Sequence, residues 1–168
     1  EVSSPRSEAG SRLRDEIYIG GQWVSSAGNP RDVVSPATLD VVGHAPDGTA
    51  GDMDKAVAAA RAVSDAGEWP HLPVGERLAH LERASRLYAE RAGELAELIT
   101  AEMGSPITFS RTAQGPIAQH ILEYFVRLGH RFEFEQERTG LSLPAVVLHE
   151  PSGVVAAIAP WNYPQALL

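Results

Sequence analysis

The stretch GVVAAIA (residues 153–159), which leads directly into Pro160-Trp161-Asn162-Tyr163-Pro164, decides the fold class. Its residues are apolar without alternation, and this pattern predicts a strand that is buried on both faces of a parallel sheet. The two prolines then fix the backbone on either side of Trp161 and Asn162. Ligands bind at the carboxyl ends of strands in open parallel sheets. We therefore predict that the turn after this strand lines a binding site, and that a covering helix begins near Gln165.

Asn162 has two interpretations from the residues alone. A neutral amide that is held rigidly in such a turn can donate its N–H to an oxygen that gains negative charge in a transition state. Alternatively, the turn is purely structural, with Trp161 filling the core and Asn162 satisfying backbone groups. The residues of the turn leave both interpretations open.

The residues near the start of the chain predict short strands. Ile17 to Val24 alternates around Gly20-Gly21, which is typical of a hairpin with a tight glycine turn. Two pairs of valines flank the turn at residues 35–38 and predict a second pair of short strands. The chain therefore begins with strands before its helices.

Apolar residues at helical spacing predict four helices in the middle of the chain. Their predicted boundaries are a cap at Asp52 and an end at Gly67, a start at Pro73 with a possible break at Gly93, an end at Gly104, and a start after Gly115-Pro116. The last helix has a predicted inward face, which consists of Ile117, Ile121, Tyr124, Phe125 and Leu128.

Residues 132–150 predict a two-stranded antiparallel arm. Phenylalanine and charged residues alternate from Phe132 until Gly140, and strand character resumes from Leu141 to Glu150. One face of this arm is polar and the other apolar, so we expect the apolar face to pack on a partner surface. The alternative is a surface hairpin of the same domain.

Composition excludes several function classes. The 168 residues (18.0 kDa) suit one domain, and the formal net charge of −8 disfavours nucleic-acid binding, which needs clustered Lys and Arg. The absence of cysteine excludes disulfides, thiolate metal sites and thiol nucleophiles within these residues. Neither familiar glycine-rich phosphate loop is present, and the six histidines show no metal-ligand spacing, so we expect no metal site.

The two ends of the chain suggest further expectations. Glu1 to Arg14 has no signal-peptide layout and too few apolar residues to be ordered, and no apolar run approaches the roughly 18 residues of a membrane span. We expect a flexible tail and a cytoplasmic protein with no membrane partner. Because the last residues read as a helix start after a buried strand, we expect the chain to be a piece of something longer.

An ordered series of motifs resembles the N-terminal part of the aldehyde dehydrogenase superfamily, from Ile17 to Leu168. In chain order, the matching motifs are IGGQWV (19–24), VSPAT (34–38), DMDKAVAAAR (52–61), Trp69, Glu76-Arg77, EMGSP (102–106), EPSGVV (150–155) and APWNYP (159–164). Each motif is weak alone, but their order covers about nine-tenths of the chain.

The resemblance implies a fold class and a division of the chain. The fold class is α/β, the N-terminal part of a Rossmann-like cofactor-binding domain with a β-hairpin oligomerisation arm, incomplete. The implied segments are a flexible tail (1–15), strands and helices of the cofactor-binding domain (16–131), the arm (132–151), and the first buried parallel strand with its Pro-Trp-Asn turn (152–168). Family subunits pair through the arm, which implies a homo-oligomer, either a dimer or a tetramer.

The resemblance also implies an activity and a site. Family members oxidise aldehydes to carboxylic acids with NAD or NADP, through a thiohemiacetal on a cysteine. Asn162 matches the asparagine that stabilises the oxyanion, and it contributes to the cofactor pocket together with Ile158, Ala159, Pro160 and Trp161. The cysteine and the glutamate base would lie beyond Leu168, and Glu102 is expected to be a helix-end carboxylate rather than that base. The aldehyde and the choice between NAD and NADP stay open.

Two alternative functions remain beside this one. One is a truncated, non-catalytic relative that acts as an oligomerisation or interaction module through its arm. The other is a free-standing small α/β binding domain, which is disfavoured because the last strand would lack its sheet neighbours.

Overall fold

A computed structural model describes residues 12–13, 16–140 and 143–167. Strands and helices do not alternate along the chain. Short strands come first, a group of helices follows, and the chain ends with a hairpin and an irregular segment. The strands are β1 (Arg12–Leu13), β2 (Glu16–Ile19), β3 (Gln22–Ser25), β4 (Arg31–Val34), β5 (Val41–Ala45), β6 (Glu135–Thr139) and β7 (Pro144–Leu148). The helices are α1 (Ala50–Ala66), α2 (Val74–Glu90), α3 (Ala92–Met103), α4 (Ile107–Phe109) and α5 (Gly115–Gly129).

The predicted first hairpin is confirmed. Strands β2 and β3 are antiparallel, and Tyr18 lies opposite Trp23 with ring centroids 5.0 Å apart. Gly20 (φ 59°) and Gly21 (φ 83°) both have positive φ, the backbone that a tight two-residue hairpin turn requires.

The second pair of strands is confirmed, with one addition. Strands β4 and β5 pair in antiparallel fashion, with a register shift between Val33 and Val34. Strand β1 pairs with β5 in parallel, and it lies inside the segment predicted as a flexible tail. Two residues of that tail are therefore part of a sheet, and residues 1–11 and 14–15 lie outside the described residues.

The start of α1 differs from the prediction by three residues. The cap is Thr49, whose hydroxyl accepts the Asp52 backbone N–H (3.2 Å), and the Asp52 carboxylate accepts the Thr49 backbone N–H (3.1 Å). Asp52 is thus the third residue of a capping box rather than the cap itself. Its carboxylate also accepts the Ser26 hydroxyl (2.9 Å), which ties the helix to the end of β3. Gly67 ends the helix, as predicted.

The helices form a layer in which α2, α3 and α5 pack together. The buried apolar residues are Leu78, Ala96, Ile99, Ala118 and Val126. The approach of α5 to α2 is close, because a Cβ atom at Gly129 would lie 2.6 Å from the Leu78 side chain. The α2 helix follows Pro73 and α3 ends at Gly104, as predicted, but the break between them falls at Arg91 and Gly93 lies inside α3.

The inward face predicted for the last helix is only partly right. Ala118 and Val126 are the buried side chains of α5, whereas Tyr124 and Phe125 are each 55% exposed. An amphipathic pattern shows which residues are apolar, but it does not show which of them find a partner in a given stretch of chain. The two aromatic rings contact each other, with centroids 5.3 Å apart, and are more than half exposed.

The predicted arm is confirmed as an antiparallel hairpin. Strands β6 and β7 pair from Glu135 opposite Leu148 to Thr139 opposite Pro144. At its base, the His149 backbone N–H donates to the Phe134 carbonyl (2.9 Å), and the Arg77 guanidinium lies 6.0 Å from the Phe134 ring centroid. The arm is thereby connected to α2. Leu141 and Ser142 lie outside the described residues.

The prediction of a buried strand at residues 153–159 is not met in this structure. No strand is assigned to these residues, and Val155 and Ile158 are 71% and 92% exposed. A parallel strand forms only by pairing with neighbouring strands, and none of the described strands pairs with this segment. The sequence pattern is therefore that of a buried strand without its sheet.

Candidate functional site

The segment that carries Asn162 crosses α1 after it leaves the arm. Gly153 has a φ of 85°, and a Cβ atom placed there would lie 3.5 Å from the Arg61 guanidinium and 3.8 Å from the Ser64 hydroxyl. Arg61 is held by Asp65 and Ser64 along the helix. The absence of a side chain at Gly153 thus lets the backbone adopt the left-handed conformation where it passes Arg61 and Ser64 of α1.

Trp161 and Pro164 line one side of an open cleft of about 560 Å³. Across from them lie Val33 and Val34 of β4, Pro36 of the following turn, and Glu102 and Met103 at the end of α3. Two segments that are distant in sequence, residues 33–36 and 102–103, therefore meet beside the Pro-Trp-Asn turn.

Gly104 holds two of these segments together. Its φ of 72° ends α3 in the left-handed conformation, and its backbone N–H donates to the Thr100 carbonyl (3.0 Å). A Cβ atom at this position would lie 2.8 Å from the Pro36 ring. The end of α3 and the β4–β5 turn can approach this closely only because residue 104 has no side chain.

The structure leaves the proposed site residues accessible. Trp161 is 79% exposed, Pro160 and Asn162 are exposed, and Ala159 is partly buried. The Asn162 side chain makes no hydrogen bond within the described part of the chain. Trp161 therefore does not lie in the core of the described residues.

The backbone after Asn162 begins a turn. The Ala166 and Leu167 backbone N–H groups both donate to the Tyr163 carbonyl, at 3.1 and 3.2 Å. The second of these bonds has the spacing of an α-helical turn. A helix near Gln165 was predicted, and the structure has one turn there.

The cleft has mainly apolar walls and one carboxylate, and it contains no cysteine nucleophile. The chain has no cysteine, and the acid in the cleft is Glu102, which lies exposed at the end of α3. The motif around Glu102 predicts a helix-end carboxylate, and Glu102 lies in the last turn of α3. Sequence reasoning missed the contribution of Pro36 and Met103 to the wall opposite Trp161. Gly104 signals only the end of α3, and its contact with Pro36 is a tertiary feature that the local sequence does not show.

The electrostatics of the strand–helix junction are dominated by Asp52. The Thr49 backbone and side-chain hydrogen bonds, followed by the Ser26 hydroxyl, lower the pKa of this carboxyl well below its usual range. Lys55 adds a weaker contact at 3.4 Å. These donors all favour the ionised form. The junction is therefore structural, since its charge is fully engaged within the protein.

Within the described ranges, no helix is long and apolar enough to cross a bilayer. The same part of the chain contains no group of three His, Asp or Glu side chains that could hold a metal ion.

Comparison with known sequences points to one family. The sequence profile of the Aldehyde dehydrogenase family matches residues 23–168. The mitochondrial aldehyde dehydrogenase family 2 member B4 of Arabidopsis thaliana is 35% identical over 156 residues, which cover 89% of this chain and 28% of that protein. A putative aldehyde dehydrogenase of Staphylococcus haemolyticus is 35% identical over 148 residues, which cover 88% of this chain and 30% of that protein.

Comparison with solved structures gives the same answer. A Mycobacterium tuberculosis aldehyde dehydrogenase complexed with NAD+ superposes with a TM-score of 0.89 and 37% identity, covering 94% of this chain and 33% of that one. An aldehyde dehydrogenase C mutant from Pseudomonas syringae, complexed with NAD+ and octanal, superposes with a TM-score of 0.84 and 35% identity, covering 91% of this chain and 30% of that one.

These matches confirm the fold class predicted from the sequence, an incomplete α/β arrangement from the family's fold. The chain spans about 30% of the length of the relatives that it matches. The profile match includes the Pro-Trp-Asn turn and the wall of the cleft opposite Trp161. On this shared sequence and fold, the chain belongs to the aldehyde dehydrogenase family.

Proposed function

We propose that this chain supplies the N-terminal section of an NAD(P)-dependent oxidoreductase that converts an aldehyde to a carboxylic acid. The observation that carries the proposal is the family match over residues 23–168, which includes Asn162. The side-chain amide of Asn162 makes no hydrogen bond within the described residues. The share of each relative that is covered, about 30%, is consistent with a section of a longer catalytic unit.

Asn162 is the residue of this chain that acts on the reacting atoms. When a cysteine thiolate from the remaining part of the enzyme adds to the aldehyde carbonyl, its oxygen gains negative charge. The Asn162 amide N–H donates a hydrogen bond to that oxygen in the thiohemiacetal and in the transition state before it. Because this bond strengthens as charge develops, it lowers the barrier more than it increases substrate affinity.

The cofactor wall consists of Ile158, Ala159, Pro160, Trp161 and Asn162. Ile158 and Trp161 are exposed, and contact with the flat nicotinamide ring and the ribose of a bound nucleotide would remove their apolar surface from water. These residues would hold NAD or NADP, which would supply the hydride acceptor for the oxidation. Two prolines flank Trp161 and Asn162 and restrict the backbone, so that the amide stays oriented while the aldehyde is in place.

The chain by itself is expected to be inactive. An oxyanion donor stabilises charge that another group must first create, and the chain has no cysteine to create it. Purified chain should therefore form no NADH or NADPH above a protein-free blank with any aldehyde. Formation that is lost in Asn162→Ala would contradict this expectation.

A second candidate function is association through the arm. Val146 and Leu148 of β7 are 58% and 56% exposed, so the arm presents an apolar edge strand. Exposed edges of this kind are templates for pairing with another chain. This supports a homo-oligomer, a dimer or a tetramer, and it also supports a non-catalytic interaction module. Sedimentation of the chain and of Val146→Lys would show whether the arm drives association.

A chimera tests the catalytic proposal. Residues 1–168 would be joined to the remaining two-thirds of the M. tuberculosis aldehyde dehydrogenase, whose matching part has 37% identity to this chain. We expect the chimera to oxidise a simple aldehyde such as octanal with NAD or NADP, and the remaining part without this chain to be inactive. A folded chimera that lacks activity with both cofactors would overturn the proposal.

A further inference from the structure

The Pro-Trp-Asn turn has a side that does not face the cleft. Trp161 and Pro164 line the cleft of about 560 Å³, whereas the two residues between them, Asn162 and Tyr163, are not among its lining residues. Asn162 and Tyr163 are consecutive, so their Cα atoms are about 3.8 Å apart. A small molecule that is bonded to the Asn162 amide is therefore close enough to meet the Tyr163 side chain as well.

The turn fixes the backbone of Tyr163. The Tyr163 carbonyl accepts the backbone N–H groups of Ala166 (3.1 Å) and Leu167 (3.2 Å). The residue is half-buried, whereas Asn162 before it is exposed. The phenol ring thus extends from a hydrogen-bonded backbone rather than from a free end of the segment.

The Tyr163 hydroxyl makes no hydrogen bond within the described residues. Tyr88 shows the structural use of the same group, because its hydroxyl donates to the Gly115 carbonyl (2.9 Å) and joins α2 to the start of α5. A tyrosine combines an apolar ring with a hydroxyl that can donate and accept. Tyr163 therefore offers a ligand beside Asn162 a hydrogen bond that phenylalanine could not provide.

The loss of water from this hydroxyl decides which ligands gain from it. A purely hydrocarbon aldehyde that covers Tyr163 removes the water bonded to the hydroxyl and replaces it with nothing, at a cost of about 1–3 kcal/mol. An aldehyde with a hydroxyl oxygen of its own restores the lost bond. Sites that bond a polar group of the substrate therefore discriminate against the analogue that lacks this group.

We propose that Tyr163 is a specificity-determining residue that favours aldehydes bearing a hydroxyl group over hydrocarbon aldehydes of the same shape. The aldehyde oxygen accepts from Asn162, and the second oxygen of the same substrate bonds to the Tyr163 hydroxyl. This inference rests on the proposed function, since it names the substrate class of the same site. The bond to the second oxygen is equally strong before and in the transition state, so it lowers KM and leaves kcat unchanged, whereas Asn162 acts on kcat.

The chimera with the remaining part of the M. tuberculosis aldehyde dehydrogenase tests the inference. Its substrates are the three isomers of hydroxybenzaldehyde and the three matching methylbenzaldehydes, in which a methyl group replaces the hydroxyl. Tyr163→Phe should reduce the hydroxyl-to-methyl ratio of kcat/KM by about fivefold or more for at least one ring position, through KM, which is the effect of one neutral hydrogen bond. Comparing the variant with the unmodified chimera cancels the intrinsic difference in reactivity between the two aldehydes.

Tyr18→Phe is the matched control, since it is the same substitution at an exposed tyrosine of β2. It should leave all three ratios unchanged, and melting temperatures would establish that both variants are folded. An active chimera in which Tyr163→Phe changes none of the ratios, or changes them no more than Tyr18→Phe does, overturns the inference and leaves the proposed function standing. A folded chimera that is inactive with both cofactors overturns the proposed function, and the inference with it.

Discussion

Replacing Gly104 by alanine places a methyl group where the structure has room only for hydrogen. The residue has a φ of 72°, and the new Cβ atom would lie 2.8 Å from the Pro36 ring. The left-handed backbone costs an alanine about 1–2 kcal/mol. Movement of the proline ring adds to this cost, and the reduced entropy of the unfolded chain returns about 0.4–1 kcal/mol. We expect the free energy of unfolding to fall by about 1–2 kcal/mol.

Gly93→Ala is the matched control, since it is the same substitution in the same helix. A Cβ atom at Gly93 has nothing within 4 Å, and its φ lies in the ordinary negative range. Alanine there should raise the free energy of unfolding by about 0.4–1 kcal/mol. Urea unfolding followed at 222 nm should thus separate the two variants by about 2 kcal/mol, on either side of the unmodified chain. A Gly104→Ala variant that is as stable as Gly93→Ala would refute the reasoning from backbone conformation and the Pro36 contact.

Three further predictions concern the strand–helix junction and the cofactor wall. Gly28→Ala should lower stability by about 1–3 kcal/mol in urea unfolding, because its Cβ would lie 2.0 Å from the Asp47 carbonyl oxygen; an unchanged midpoint would contradict this contact. The lowered pKa of Asp52 contributes stability above the unfolded-state pKa of about 3.9, and this is lost as pH falls toward the folded-state pKa. Melting temperatures below about pH 4 should therefore fall more steeply for the unmodified chain than for Asp52→Asn, and parallel curves would count against the junction's role. Calorimetry of the chain with NAD or NADP should show no saturable binding below millimolar concentration, since residues 158–162 supply one wall of the pocket; a one-to-one isotherm would overturn that view.

Local signals in the sequence were sufficient for the hairpins and for most helix ends. Gly20-Gly21 predicts a turn because glycine readily adopts the positive φ that a tight hairpin turn needs. Gly104 predicts a left-handed helix end for the same reason. These features depend on a few neighbouring residues. The capping box shows the limit of such signals, because both Thr49 and Asp52 are good caps and the geometry selects Thr49.

Features that depend on distant partners were not predictable in the same way. Residues 153–159 have the pattern of a buried strand, but Ile158 is 92% exposed since no described strand pairs with them. The pattern predicts that Tyr124 and Phe125 face inward, whereas each of them is 55% exposed in the structure. The sequence motif was sufficient to single out Asn162. The cleft wall formed by Pro36 and Met103 could be identified only from the three-dimensional structure, because these residues are distant in sequence.

The central claim is that Asn162 donates to the oxyanion, and single-turnover hydride transfer in the chimera tests it most directly. Asn162→Ala should slow this step by about 10²–10³-fold, the usual loss when one oxyanion donor is removed, with little change in melting temperature. Asn29→Ala, the same substitution at the chain's other asparagine, which is exposed, should leave the step unchanged. A stable Asn162→Ala chimera with an unaltered rate of hydride transfer would contradict the claim.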